Sequence, residues 1–572
     1  MTTDTTGERM TAAAATTTGR QGVRIDVDRL SRRVRISRRE EVTLLDAVSF
    51  TIPAGELVAI VGPSGAGKTT LLETIAGIAP TSTGAVCFDG VDVHANGGAF
   101  GSVLGYVPQD DIIHADLPLA RTLRYAARLR LPSWTSAVDV HAVVADALAA
   151  VGLTTQADVR VGALSGGQRK RASIAVELLT DPHVFFLDEP TSGLDPLTSV
   201  ELITRLRQLA DRSATVLFTT HSVDDLAMCD RSVFMTRGGQ VGFVGTIDEA
   251  LEWFEVRSVP ALYAVLADPE RIAQPAGEPA AEALPVKSTG DIIRRPVAGA
   301  LTQWAVLTQR TLEILARNRL TLAILLGSPA LVVAMFAVLF RPGAFDVDDP
   351  SPSSMVMVGF WVVFAAFFFG LTYGLLQIVT ERSILRRERF VGLRPGAYLA
   401  SKVTILGPFL LLVVAAMLAV LRLFDRLPDR PFATYASIGT GLWLCAIAAL
   451  GLGLLTSAIV STAAQATLAL PMLCFPAVLF SGAILPVHLM APAGAGLSMA
   501  IPSRWAFEAI GHDLGARRIL AESGSPLGQP LLDAYGDAGT LPTGTYWLML
   551  TLFAVAFLGA TWAVLVRTSD ER

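Results

Sequence analysis

Residues Gly62-Pro63-Ser64-Gly65-Ala66-Gly67-Lys68-Thr69-Thr70 set glycines, a lysine and a hydroxyl at the spacing G-x-x-x-x-G-K-[ST]. Where glycine leaves room, backbone N–H groups close around phosphate oxygens, and a helix beginning behind them adds a favourable dipole. That spacing directs Lys68 to the β- and γ-phosphates and the Thr69 hydroxyl to Mg²⁺. The apolar run Leu57 to Val61 before the loop and the helical run Thr70 to Ile78 after it supply the strand-loop-helix context the chemistry needs. A nucleoside triphosphate is the expected ligand, lined by Gly62 through Thr70.

Other polar residues stand at the ends of apolar runs. Gly105-Tyr106-Val107 leads to Pro108-Gln109, and Thr215 to Thr220 leads to His221. His183-Val184-Phe185-Phe186-Leu187 ends in Asp188-Glu189. A strand buried on both faces of a parallel sheet would hold this acidic pair at the phosphate edge. There Asp188 suits Mg²⁺, and Glu189, differently directed, suits orienting or activating a water. Leu164-Ser165-Gly166-Gly167-Gln168-Arg169-Lys170-Arg171 is a second glycine-rich turn feeding a helix, hence a second place suited to anions. Thr191-Ser192-Gly193-Leu194-Asp195-Pro196 reads as a tight loop. Around these, Val23 to Val27 and Val42 to Ile52 are expected as paired strands, Gly84 to Gly90 as strand and turn, and Pro118 to Leu153 as mostly helical.

In this order and spacing the motifs resemble the nucleotide-binding domain of ATP-binding cassette (ABC) transporters. The resemblance implies an α/β P-loop domain that binds ATP and Mg²⁺ and pairs head to tail with a second copy. It assigns Lys68, Thr69, Gln109, Asp188, Glu189 and His221 to the nucleotide in cis, and Ser165, Gly166, Gly167 and Asp195, with Gln168 beside them, to the opposite nucleotide. The resemblance implies Lys68, Gln109, Glu189 and His221 as the catalytic group, and Thr69, Gln109 and Asp188 as the Mg²⁺ ligands. Two phosphate-binding turns on one domain make sense if they serve different nucleotides or subunits. One set per chain therefore calls for two chains. Family members often stack adenine on an aromatic upstream of the phosphate loop; Leu30 to Ile36 offers none, and Val34 is the apolar contact available instead.

Composition divides the chain. Over 572 residues it is 52% hydrophobic and 17% charged, with a mean hydropathy of +0.50. The excess apolarity lies beyond about residue 300, so a membrane half is expected. A formal net charge of −5 gives no case for nucleic acid. Met1 to Arg20 is rich in Thr and Ala without a signal-type apolar core and reads as a disordered tail, 1–22. Cys87, Cys229, Cys445 and Cys474 have no pairing or metal-ligand spacing and read as buried apolar residues, while His94, His114 and His183 read as surface or packing residues.

The nucleotide-binding domain is thus expected over 23–267 and a Pro/Ala/Glu-rich linker over 268–300. A connecting helix over 301–318, with Arg310 and Arg317, reads either as amphipathic at the inner membrane surface or as an ordinary cytoplasmic helix. Within 319–566 six apolar segments approach bilayer length, near 319–340, 354–379, 403–424, 433–460, 463–487 and 543–566. Arg382, Arg386, Arg387, Arg389, Arg394 and Lys402 lie between the second and third, which puts that loop, the nucleotide domain and the tail 567–572 in the cytoplasm. The expected fold class is therefore multidomain, an α/β P-loop ABC domain followed by an all-α six-helix transmembrane domain in the inner or plasma membrane.

Thr380 to Gly392 resembles the coupling-helix segment of the G subfamily, the White-type half-transporters. The domain order, the continuation Arg169-Lys170-Arg171 and Ile501 to Ala509 before the last span point the same way. Ala/Arg/Gly-rich usage points to a bacterial source. Phe360, Trp361, Phe364, Phe367, Phe368, Phe369, Phe475 and Phe480 either line a central cavity, as the resemblance implies for spans two and five, or face lipid and pack helices. No span interior is expected to hold an acidic residue or a lysine. The expectation is an ATP-driven exporter of a hydrophobic or amphipathic substrate such as a lipid or drug, acting with a second half-transporter, identical or not. The alternative is a membrane-anchored ATPase that transmits force to an external partner without moving cargo.

Overall fold

The computed structural model describes residues 22–37, 40–96, 100, 103–110, 112–268, 298–346, 351–522 and 526–570. The proposed tail before Gly22 and the proposed linker between 269 and 297 lie outside the described residues. The chain forms two units, Met1–Val297 and Ala298–Arg572.

In the first unit the elements run β1 (Ile25–Ser37), β2 (Glu40–Ile52), β3 (Leu57–Val61), α1 (Lys68–Ile75), β4 (Thr83–Phe88), β5 (Val91–Asp92), β6 (Leu104–Val107), α2 (Leu119–Arg130), α3 (Ala137–Ala150), α4 (Gly166–Leu178), β7 (Val184–Leu187), α5 (Pro196–Asp211), β8 (Thr215–Thr219), β9 (Arg231–Met235), β10 (Val241–Gly245), α6 (Ile247–Trp253) and α7 (Val259–Leu266). One sheet has the order β2-β1-β4-β5, the other β10-β9-β3-β8-β7-β6. In the second sheet β6, β7, β8, β3 and β9 run parallel and β10 closes it antiparallel. Every residue of β3, β7 and β8 is buried, which explains why these strands read as unbroken apolar runs rather than alternating ones. Phe185, Phe186, Phe218 and Phe234 are among the fully buried side chains of this core, each worth about 1.5–3 kcal/mol in transfer free energy.

The helical stretch expected over Pro118 to Leu153 is broken. Leu131, extended because Pro132 follows it, ends α2, and Ser136 restarts the chain as α3 by accepting the Asp139 N–H. A buried bidentate pair, Arg130 to Glu177 at 2.9 Å, ties α2 to α4.

The second unit is helical: α8 (Ala300–Arg317), α9 (Arg319–Leu339), α10 (Pro352–Leu375), α11 (Arg382–Phe390), α12 (Pro395–Leu423), α13 (Phe432–Ile459), α14 (Ala463–Leu479), α15 (Pro492–Ser498), α16 (Pro502–Asp513), α17 (Ala516–Glu522), α18 (Gly528–Tyr535) and α19 (Thr543–Asp570). Among the described residues five helical segments are long and apolar enough to cross a membrane. The fifth apolar segment of the sequence is shorter than expected: α14 has 17 residues and contains Pro471 and Pro476. Each proline removes a backbone donor from the helix ladder.

Helices α10 and α13 form the packed centre, with 67% of their apolar windows buried against 22% for α9 and α19. Glycine makes that pairing possible: a Cβ on Gly370 would sit 2.1 Å from Ala446 O, and one on Gly453 would sit 2.4 Å from Leu371 O. Such close backbone approach is the usual way apolar helices gain contact when lipid offers no hydrophobic drive. The segment between the fifth and sixth apolar stretches is not detached, because α16 packs against α10, α13, α14 and α19.

Candidate nucleotide site

Register fixes the site. Val107 of β6 aligns with Leu187 of β7, Leu187 with Phe218 of β8, and Ile60 of β3 with Thr219 of β8. The residues following these positions therefore emerge side by side at the C-terminal edge of a parallel sheet, where open α/β folds bind ligands. Asp188, buried at 2% exposure, accepts from Thr69 Oγ1 at 3.1 Å and Thr219 Oγ1 at 2.7 Å. Glu189 takes the next position with φ +44°, a left-handed backbone uncommon outside glycine, and its N–H donates to Thr219 Oγ1 at 2.8 Å. That turn swings the Glu189 carboxylate away from Asp188. Gln109 Nε2 lies 3.1 Å from its Oε2 and His221 Nε2 2.6 Å from its Oε1.

The phosphate loop wraps its own lysine. Lys68 Nζ donates to Gly62 O at 2.9 Å and Pro63 O at 3.2 Å. Burial lowers its pKa, opposed by Glu189 and Asp188. Gly67, with φ +88°, could not carry a side chain without meeting Leu44 O, and a Cβ on Gly62 would sit 2.5 Å from Met235 O. Gly65 differs: among the described residues no heavy atom lies within 4 Å of where its Cβ would be. Ser64, Gly65 and Thr69 are exposed, leaving the face above the loop open to a phosphate chain. The adjacent hydroxyl of Thr69 and carboxylate of Asp188 are hard oxygen donors and fit Mg²⁺. Gln109, expected to share that ion, also donates from Nε2 to Glu189 Oε2.

The second glycine turn is a helix start. Ser165 caps α4 by accepting the Gln168 N–H at 3.3 Å, and the Gln168 side chain returns to the Ser165 N–H at 3.0 Å. Ser165 and Gly166 are exposed, and a Cβ on Gly166 would meet nothing within 4 Å among the described residues. Asp195 caps α5 in the same way, accepting from Thr198 N at 3.0 Å and Thr198 Oγ1 at 2.6 Å; these bonds lower its pKa. Val34 lies half-buried in β1 opposite Val42 of β2.

A profile described as "ABC transporter" matches residues 45–192, and one described as "ABC-2 type transporter" matches residues 302–511. The chain belongs to the ABC transporters. Its first unit is an ABC-type ATPase domain and its second an ABC-2 type membrane domain, the order expected of the White-type resemblance. This ABC transporter is 34% identical over 481 residues to the ABC transporter ATP-binding/permease protein Rv1747 of Mycobacterium tuberculosis, covering 82% of this chain and 55% of that one. It therefore spans about half the length of that curated relative. With ABC transporter G family member 4 of Arabidopsis thaliana it shares 30% identity over 65% of this chain and 66% of that protein. Among solved structures, a dimeric ATP-binding cassette bound to ADP and Pi aligns at 23% identity over 39% of this chain and 98% of its own, with a TM-score of 0.37.

Sequence reasoning missed several supports of this transporter's site. Lys170 is buried and donates to Pro108 O at 3.0 Å and Gln109 O at 2.8 Å. Asp225 accepts from Thr220 at 2.6 Å and Thr191 at 2.9 Å, joining the loop after Asp188-Glu189 to the end of β8. The one available signal was a hydroxyl pair, Thr219-Thr220, following the apolar Val216-Leu217-Phe218 before His221.

In the membrane unit, the basic segment is tied into its surroundings by buried pairs. Arg310 of α8 pairs with Glu388 of α11, with Nη2 to Oε2 at 3.0 Å. Gln303 donates to Gly392 O and accepts from the Arg394 N–H. Glu381 accepts from Lys402 Nζ and Tyr398 OH, both at 2.8 Å. Lys402, placed by hydropathy in a loop, lies inside α12 and is buried. Of the α10 aromatics, Phe360, Phe367 and Phe369 are buried packing residues, whereas Trp361, Phe364 and Phe368 form a half-buried stripe. Phe475 on α14 is 66% exposed.

Proposed function

We propose that this chain is one half of an ATP-driven exporter that works as a dimer and moves a hydrophobic or amphipathic solute across a cell membrane. The observation that carries this reading is the meeting of Lys68, Thr69, Asp188, Gln109, Glu189 and His221 at one sheet edge, in a chain whose other unit holds five membrane-length helical segments among the described residues. Residues 23–267 and 567–572 and the basic segment 380–394 take the cytoplasmic side.

Each role follows from local geometry. Lys68 exchanges its carbonyl acceptors, Gly62 O and Pro63 O, for phosphate oxygens, trading neutral acceptors for charged ones. Thr69 and Asp188, together with Gln109, would hold Mg²⁺, which would supply neutralisation of phosphate charge when bound. Glu189, gripped at both oxygens, is held ready to accept a proton from the attacking water. The exposed N–H groups at the start of α4, with Ser165, Gly166 and Gly167, offer a second anion site for the nucleotide of a second copy, with Asp195 near the same interface. Closure of two nucleotide domains then reaches the spans through the segment anchored by Arg310–Glu388 and Lys402–Glu381.

Mixing Lys68→Ala chains with Ser165→Arg chains tests the dimer. One composite site stays intact in a mixed dimer, so random mixing should restore measurable turnover that neither variant shows alone, at most about a quarter of wild type and less where the two sites are coupled. Verified mixed dimers with no recovery overturn the trans assignment. Vesicles reconstituted with the chain should move a lipid or hydrophobic dye on ATP addition. Hydrolysis that moves no such cargo would favour the force-transmitting alternative.

A further inference from the structure

Lys170 lies one helical turn behind Gly166 on α4, yet its ammonium serves a different strand. Its neighbours are occupied elsewhere: Arg169 donates to Leu164 O at 2.9 Å, and Arg171 reaches Glu201 on α5 at 3.4 Å. A buried lysine needs acceptors to offset its lost hydration, and Lys170 has the carbonyls of Pro108 and Gln109. Both are main-chain atoms. The contact therefore fixes the path of the backbone at the end of β6, and that path sets where the Gln109 amide can reach. It reaches Glu189 Oε2 at 3.1 Å.

We propose that Lys170 is a positioning residue that makes the Gln109–Glu189 contact follow any displacement of helix α4. The proposal rests on the reading that Ser165 and Gly166 meet the nucleotide of a second copy. Under that reading the N-terminus of α4 senses one nucleotide, while Lys170, one turn further on, adjusts the carboxylate that serves the other. A rigid helix of 13 residues with Ser165 at its cap and Lys170 on its side joins the two sites within one chain.

The test uses the full chain in lipid nanodiscs. Lys170→Met keeps the apolar stem and deletes the donors; Lys170→Arg restores donation to two carbonyls. For Lys170→Met we expect ATP affinity within about twofold of wild type, kcat at least about tenfold lower, KM changed less than about threefold, and a Hill coefficient for ATP falling towards one. Lys170→Arg should recover a substantial part of kcat. On a Gln109→Ala background, Lys170→Met should cost less than about a further twofold, because its effect passes through Gln109. Wild-type kcat in Lys170→Met, or losses that multiply in the double variant, overturn the proposal. If Lys170→Met does not fold, Lys170→Leu, which also deletes the donors, is read by the same criteria. The Lys68→Ala and Ser165→Arg mixture separates the two claims. Recovery there with multiplying losses removes the Lys170 assignment and leaves the shared site standing. No recovery with non-additive losses leaves the local link and removes its cross-site meaning.

Discussion

His221 Nε2 lies 2.6 Å from Glu189 Oε1 although 32 positions separate the two residues in the chain. The contact exists because β7 and β8 are parallel neighbours in register and Glu189 adopts a left-handed turn immediately after β7. Gln109 holds the other oxygen, so the carboxylate has little freedom to rotate.

Glu189→Gln should keep both grips in shape while removing the negative charge proposed to accept the proton. Steady-state hydrolysis is expected to fall by about 10²–10⁴-fold with ATP binding retained. Near-normal turnover in that variant, measured by phosphate release, would assign the base elsewhere.

Asp225 gives a pH signature. Burial raises its carboxyl pKa above the ordinary 3.8, against the opposing bonds from Thr220 and Thr191. The folded chain then binds this proton at higher pH than the unfolded chain does. The group therefore adds stability as pH falls through the raised value towards 3.8, and costs stability above it. Asp225→Asn should remove that contribution, visible as a flatter thermal midpoint against pH in that window. Asp225→Ala should instead destabilise by about 1–3 kcal/mol, because two threonine hydroxyls lose their acceptor.

The buried Arg130–Glu177 pair should behave asymmetrically. Glu177→Ala leaves the guanidinium without its carboxylate and is expected to cost about 3–5 kcal/mol. The double change Arg130→Met with Glu177→Leu should recover much of that loss in a denaturation experiment. Equal losses in the single and double variants would show that packing, not charge, dominates the site.

For the membrane unit, Phe364→Ala should reduce transport of a hydrophobic cargo while leaving ATP binding intact. Phe364 sits on the half-buried stripe of α10, and the same result is expected for Phe480→Ala. Unchanged transport of every cargo tested would return these rings to lipid contact. Phe367, 1% exposed, is a contrasting control whose loss should lower stability first.

The nucleotide-unit strands and the residues at their ends were legible because burial on both faces writes itself as continuous apolar runs such as Leu57–Val61 and Val184–Leu187. Lys170 was not legible: a charge between two arginines looks solvated, and only the fold turns it inward. Nor could hydropathy show that α12 begins at Pro395, which carries Lys402 into a buried helix beside Glu381. A hydropathy reading ends a span at the first charge, whereas a paired charge lets the helix continue. The packing of α16 against four helices was equally hidden, since its mixed sequence, Pro502 to Asp513, has the polarity of a loop.

Among the described residues, nothing fills the room where a methyl group on Gly166 would go, and none of them gives a reason for it to be glycine. A genetic screen scoring soluble yield would pass Gly166→Ala, and one scoring growth or efflux would reject it if another molecule must come close there. The gap between those two screens would read out how tightly a visitor fits against this helix tip, without a structure of the assembled pair.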